Sequence, residues 1–320
     1  MKKTLIIHTG GTISMKENQD GAVVETDIHP LSHLKALDPF KIEEVNLFHL
    51  PSPHITPEHM FQLSSFITEK IHIGTYNGIV VTHGTDTLEE TAYFVDLCIK
   101  ADIPIVFTGA MRSSNEIGSD GLYNLLCAIR VAANPKSADR GVLVVMNDEI
   151  HTAKYVTKTS TSNVATFQSP QFGPVGMVTK QDVYYYQKTY HHETIYMQNL
   201  TKNVLLLKAY AGMSADLLEN IQPNKVDGVI VEALGQGNVP PAIVPVIKNL
   251  IKNGVIILFV SRSYKGIVQP TYQYEGGGRT LLKEGVIFAN HLTGPKARLK
   301  LMMLLENNAS HEELSVAFSN

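Results

Sequence analysis

Residues 80–87 read Val-Val-Thr-His-Gly-Thr-Asp-Thr, and residues 8–14 read His-Thr-Gly-Gly-Thr-Ile-Ser. In both stretches an aliphatic run suited to a buried strand breaks into small and polar side chains, with glycine directly before a threonine. One of Thr85, Asp86 and Thr87 is accounted for as the N-cap of a following helix, where a short side-chain oxygen accepts an orphan amide hydrogen. The other oxygens are left over for chemistry. A threonine hydroxyl at position 12 or 85 is a nucleophile once a base removes its proton. Gly10, Gly11 and Gly84 let a substrate approach the backbone, whose freed amide hydrogens can stabilise an oxyanion.

Histidine is the usual base, and the chain has 13 of them. None belongs to a G-x-S-x-G elbow or an H-E-x-x-H pair. His8 and His83 flank the two motifs and read either as orienting groups or as ordinary hydrogen-bonded residues at strand ends. His54 and His59 have no third ligand at a recognised spacing, so no metal site is expected. Lysine is the other base that burial tunes. The dinucleotide fingerprint G-x-G-x-x-G and the glycine-lysine-serine/threonine phosphate loop are both missing, which disfavours a nucleotide ligand.

The elements that must hold these residues alternate. Strands are expected at 4–8, 78–82, 104–107 and 141–146, and helices at 57–73, 87–100 and 119–133. Apolar residues at 88, 92, 95, 98 and 99, and at 122, 125, 126, 129 and 132, give both later helices a core-facing stripe. Such alternation means a parallel sheet with crossover helices. Ligands of an open parallel sheet sit beyond the carboxyl ends of its strands, so Thr12 and Thr85 are expected to face one crevice. A second alternation follows a polar, aromatic stretch: strands at 204–208, 226–232 and 255–260, helices at 214–221, 241–252 and 295–306. The expected architecture is α/β, with a larger N-terminal domain over 1–190, a linker over 191–203 and a smaller C-terminal domain over 204–320. Both are three-layered with mostly parallel sheets.

A chain of 320 residues that is 44% hydrophobic is long enough for two cores. With a net charge of −3 and interspersed signs, it shows no basic stripe for nucleic acid. The N-terminal apolar run is too short for a signal peptide, and no run reaches membrane-spanning length. Cys98 and Cys127 fall on helical apolar stripes and read as buried, inert thiols, which suits a reducing, cytoplasmic setting. The segment 15–27, centred on Gln-Asp-Gly, reads equally as a lid over the crevice or as a surface hairpin.

The stretches HTGGTISM (8–15), VVTHGTDTLEETAYFVDL (80–97), TGAMRSSNEIGSDGLYNL (108–125) and RGVLVVMNDEIHTAKYVTKTSTSNVATFQSP (140–170) resemble bacterial L-asparaginases. GQGNVP and GPKARLKLMMLL extend the resemblance, more loosely, over nearly the whole chain. It implies hydrolysis of the side-chain amide of asparagine, and often of glutamine, with no cofactor and no metal. Thr12 then matches the nucleophile that forms an acyl-enzyme, while Thr85, Asp86 and Lys158 match its catalytic partners. Asp86 also matches the group that receives the substrate's α-amino group, and Ser52 the serine that holds its α-carboxylate. Gly11 and Gly84 border the substrate. Asn238 and Glu275 match residues that complete a neighbouring subunit's site, so a homodimer or homotetramer is expected.

Two departures from the pattern stand out. Residues 13–75 contain no tyrosine, where the family usually places one on the loop after the first threonine. Thr26, Glu25 or a water is left to replace it. Pro53 follows Ser52, where the family commonly has a polar residue. Two other readings remain: a glutaminase-type amidohydrolase, and a weakened family member that binds an amino acid as a sensor. Amidotransferase subunits of this kind carry an extra N-terminal domain, for which Thr12 lies too near the start.

Overall fold

In the computed structural model, which describes residues 3–25, 41–189 and 193–319, the first aliphatic run forms strand β1 (Lys3–His8). A short hairpin of β2 (Met15–Glu17) and β3 (Val23–Glu25) follows, then β4 (Ile42–Asn46) and helix α1 (Pro57–Ile73). Next come β5 (Tyr76–Thr82), α2 (Leu88–Cys98), β6 (Ile105–Thr108), α3 (Gly121–Ala133) and β7 (Val142–Met146). Five shorter strands complete this part: β8 (Glu149–Thr152), β9 (Thr157–Lys158), β10 (Phe167–Gln168), β11 (Gly176–Val178) and β12 (Val183–Tyr185). The chain divides into two units, Met1–Thr194 and Ile195–Asn320.

The main sheet of the first unit runs β12-β11-β8-β7-β6-β5-β1-β4, and the stretch from β4 to β7 is parallel. Counted in chain order, its parallel strands lie 2-1-3-4-5, so the winding direction switches between β1 and β5. Buried aliphatic side chains alternate across these strands. Leu5, Ile7, Ile79 and Val81 join α1 and α2 in one core, while Ile6 and Val80 join α3 in the other. Each fully buried Val or Ile contributes about 1.5–3 kcal/mol, which pins the strand ends that carry the motifs.

The parallel run ends where the sequence pattern gave no warning. Asn147 and Asp148 have φ of 49° and 67°, the two left-handed residues of a tight hairpin turn. They send β8 back antiparallel to β7, and β11 and β12 continue antiparallel beyond it. Tyr184 and Tyr185, within the stretch expected to close the domain, therefore belong to an edge strand.

Helix α2 is also more enclosed than a single stripe implies, since Thr91, Tyr93, Phe94 and Leu97 are buried as well and α1 packs beside it. Both cysteines are free thiols, and burial pushes Cys98 up to about 12 and Cys127 to about 11. The segment 15–25 is a hairpin, with Met15 opposite Glu25 and a turn closed by Asn18 N donating to Ala22 O at 2.8 Å.

In the second unit, β13 (Val204–Lys208), β14 (Gly228–Ala233), β15 (Ile256–Ser261) and β16 (Ile287–Phe288) form a wholly parallel sheet. Between its strands lie α4 (Asp216–Glu219), α5 (Val244–Lys252) and α6 (Gly278–Lys283), followed by α7 (Gly294–Glu306) and α8 (His311–Ser319). The helix expected over 214–221 shrinks to one turn, and that expected over 241–252 begins as a 3-10 turn, Pro241–Ile243. Val229 and Val231 face α5, while α7 packs on the opposite face, where a Cβ on Gly228 would lie 2.9 Å from Leu301 Cδ2. Among the described residues no helix is long and apolar enough to cross a membrane.

Helix α3 rests directly on β5 at Gly78, where a Cβ would stand 2.0 Å from Ala132 O. Gly78→Ala forces backbone apart, so its cost is expected to reach or exceed the roughly 1–3 kcal/mol of ordinary overpacking. A thermal melt followed by circular dichroism checks this: the midpoint falls, and an unchanged midpoint contradicts the close contact.

Candidate functional site

The parallel strands deliver their following loops to one end of the sheet, on either side of the switch point. After β1 the chain enters a 3-10 turn, Thr12–Ser14, closed by Ser14 N donating to Gly11 O at 2.8 Å. Ile13 and Ser14 are buried and anchor the turn, leaving Thr12 half-buried at its front. After β5 the chain turns through His83–Thr87 into α2. The two loops meet backbone to backbone: a Cβ on Gly11 would lie 2.2 Å from Gly84 Cα, and Gly11 has φ +86°. Only glycine at both positions permits that approach.

Ser52 enters from the loop after β4. Its hydroxyl accepts from Asp86 N at 3.2 Å, and its carbonyl accepts from Thr87 Oγ1 at 2.8 Å. The Ser52 proton stays available for donation, because the hydroxyl meets Asp86 as an acceptor. Pro53 sits in the first turn of the 3-10 helix Ser52–His54, where its missing amide costs nothing and its fixed φ suits the turn. His59 takes part in the N-terminal capping of α1, its Nδ1 lying 3.2 Å from Thr56 N and 3.0 Å from Thr56 Oγ1.

Lys158 arrives on β9, a two-residue strand paired only with β10. Its ammonium donates to Thr85 Oγ1 at 3.0 Å and to Asp86 Oδ1 at 2.6 Å. The lysine side chain is 17% exposed and the aspartate 59%. An ion pair this open contributes about 1 kcal/mol or less, so its placement matters more than its strength. Asp86 keeps an open side for a cationic group of a ligand, while Thr85, 6% exposed, is enclosed.

His83 and His8 turn elsewhere. His83 Nδ1 lies 2.8 Å from the Gly84 carbonyl, so that nitrogen carries the hydrogen. The ring packs near Phe107, and burial drives the imidazole down to about 4, against the opposing pull of the Gly84 bond. His8 is held by Thr82 Oγ1 at 2.9 Å and Glu44 at 3.2 Å.

Two groups escaped the sequence reading. Glu89 Oε2 accepts the backbone amide of Lys158 at 2.6 Å. The loop after β6 walls the crevice, with a Cβ on Gly109 lying 3.3 Å from Thr85 Cγ2. That loop is folded by Asp120, whose carboxylate takes the amides of Met111 and Arg112 at 3.0–3.1 Å, and by Asn124, which donates to Gly109 O at 3.1 Å. In sequence both acids look like ordinary first-turn residues, and no spacing tells where a carboxylate reaches across the fold.

Asn115 ties the hairpin to the same loop, accepting from Glu17 N at 2.7 Å and donating to Glu17 O at 2.8 Å. Thr26 lies outside the described residues, and Glu25 ends β3 opposite Met15. In the second unit Asn238 Oδ1 accepts from Gly278 N at 3.2 Å and exposed Glu275 lies in the turn before Gly276, whose carbonyl accepts from Val239 N at 2.9 Å. These two residues therefore share one loop cluster. Among the described residues no group of three or more His, Cys, Asp or Glu is placed to hold a metal ion.

Two family descriptions match the chain: "Asparaginase, N-terminal" over residues 3–191 and "Glutaminase/Asparaginase C-terminal domain" over residues 203–318. A "Probable L-asparaginase" of Deinococcus radiodurans is 39% identical, covering 100% of this chain and 98% of that protein. An "L-asparaginase" of Bacillus licheniformis is 36% identical over 98% of this chain and 97% of its own. The crystal structure of a "Probable Cytoplasmic L-asparaginase" from Campylobacter jejuni superposes with a TM-score of 0.89 at 30% identity, covering 99% of both chains.

The depressed His83 makes stability pH-dependent. Between its ordinary 6.5 and about 4, the unfolded chain takes up a proton at this imidazole that the folded chain refuses. Stability from this group is thus complete above 6.5 and is lost as pH falls through the window, by roughly 3 kcal/mol in all. Urea unfolding at neutral and at mildly acidic pH is expected to show a smaller acid-induced drop in His83→Gln than in the wild type. Equal drops refute the assignment.

Proposed function

The chain belongs to the asparaginase family, and from that premise we propose that it hydrolyses L-asparagine to L-aspartate and ammonia through an acyl-enzyme on Thr12. The observation that carries this reading is Lys158 Nζ at 3.0 Å from Thr85 Oγ1 and 2.6 Å from Asp86 Oδ1. This cluster stands on the loop that the Thr12 loop touches through Gly11 and Gly84. In the proposed reaction Thr12 Oγ1 attacks the side-chain carboxamide carbon. The carbon–nitrogen bond breaks, and ammonia leaves with the proton that the hydroxyl gave up. Water then attacks the aspartyl ester carbon, and that carbon's bond to Thr12 Oγ1 breaks. The proton that the water gives up ends on Thr12 Oγ1, restoring the alcohol, with the Thr85 hydroxyl and the Lys158 ammonium beside it as relay groups that finish the step unchanged.

Asp86 takes the substrate's α-ammonium on its open side, and the Ser52 hydroxyl donates to its α-carboxylate. Backbone amides near Gly11 and Gly84 face the developing oxyanion. The resemblance further supports a homo-oligomer in which Asn238 and Glu275 of one copy complete the site of another. The cytoplasm is the proposed setting, and it suits the two free thiols.

Ammonia release tests the reading with L-asparagine, D-asparagine and L-glutamine as substrates. Thr12→Ala is expected to lower kcat at least about 1000-fold, and Lys158→Ala by about 100- to 10,000-fold. Undiminished turnover in either variant removes the mechanism. Calorimetric binding of asparagine by a wild type that releases no ammonia replaces catalysis with an amino-acid sensor.

A further inference from the structure

We infer that Glu89 is a positioning residue, holding the backbone of Lys158 so that its ammonium stays on Thr85. The inference rests on the proposed role of Lys158 and adds a group whose contact is with that lysine's main chain. Lys158 sits on a ribbon of two residue pairs, Lys158 with Phe167 and Thr157 with Gln168, outside the eight-stranded sheet. Val156 and Phe167 bury the ribbon in the core beside α2. Apolar burial of this kind sets depth; it is non-directional and does not by itself fix the ribbon's position along its own axis. A hydrogen bond is directional and supplies that coordinate.

Glu89 makes such a bond, its Oε2 lying 2.6 Å from Lys158 N, a charge-assisted length. Asp86 lies three residues earlier, in the turn that leads into α2. The start of α2 and the turn before it grip a single lysine at both ends: Glu89 of α2 takes the amide, and Thr85 and Asp86 of the turn take the ammonium. Stretched between fixed points, the side chain loses the freedom by which a long lysine would otherwise wander from Thr85. A carboxylate placed only to complement the helix dipole has no need of burial, since that effect is available at an exposed first-turn position. Glu89 is 9% exposed, and burying a carboxylate is costly unless a donor meets it.

Two changes separate reach from charge. Glu89→Gln keeps an oxygen at the same distance and drops the charge; Glu89→Asp keeps the charge and withdraws the oxygen by one methylene. Steady-state ammonia release from asparagine, with Lys158→Ala as reference, reads the outcome, and hydrogen–deuterium exchange over residues 156–168 reports the ribbon. Glu89→Gln is expected to keep near-wild-type kcat and slow exchange. Glu89→Asp is expected to lose about 100-fold in kcat with KM within about twofold, and to exchange faster. Glu89→Asp at full kcat, or Glu89→Gln as impaired as Glu89→Asp, overturns the inference while an inactive Lys158→Ala leaves the catalytic reading intact. Full activity in Lys158→Ala removes that reading itself.

Discussion

Two alpha carbons without side chains hold the candidate site together. Gly11 and Gly84 lie at the carboxyl ends of β1 and β5, the pair between which the winding of the sheet reverses. At such a point the crossover connections diverge to opposite faces and leave a crevice open. Here the loops close its floor by touching, so the loop that carries Thr12 and the loop that carries Thr85 meet backbone to backbone. Any larger residue at either position holds the loops apart, since a Cβ on Gly84 would also lie 2.8 Å from Ser52 Oγ. The contact thus sets the spacing of three side chains at once.

Around that floor the polar groups are arranged for direction. The Asp86–Lys158 pair is too exposed to be a large source of stability, and the sheet core beneath it supplies the stability it lacks. What the charges contribute is orientation: a lysine aimed at a buried hydroxyl, and a carboxylate with one side toward solvent. The wall from Gly109 to Asn115 is built on the same plan. Asp120 and Asn124 satisfy its backbone from below, and the hairpin after Thr12 is fastened to its far end through Ser114 and Asn115. Over residues 15–25, the described part of the segment that read as either lid or hairpin, the chain is a hairpin tied to a wall of the crevice.

The second unit repeats the α/β logic with a smaller parallel sheet, and its exposed turn at Glu275 is held against the Asn238 loop. Its glycines follow a mechanical rule. A Cβ on Gly276 would lie 2.2 Å from Val239 O, so the glycine-rich run is the place where two backbones cross, and Gly278 opens α6.

The sequence by itself determined the alternation of strands and helices and the two α/β halves, because aliphatic period and glycine placement are local properties of the chain. The grouping of Thr12, Thr85, Asp86 and Lys158 came from the family resemblance, and the structure joins Thr85, Asp86 and Lys158 by direct contact. Aliphatic runs of four or more found their strands within about two residues. The antiparallel strands β8, β11 and β12 were hidden, since strands of three or four residues carry little period and the Asn147–Asp148 turn had to be seen in its left-handed conformation. The resemblance named a set of residues, and their geometry was illegible. That Lys158, more than seventy residues after Thr85, comes within 3.0 Å of it depends on a ribbon outside the sheet. Glu89 and Asp120 likewise act on backbone amides of other segments. Hydrogen bonds to a main chain leave no mark in side-chain identity, so only the tertiary structure decided which carboxylates hold the site in place.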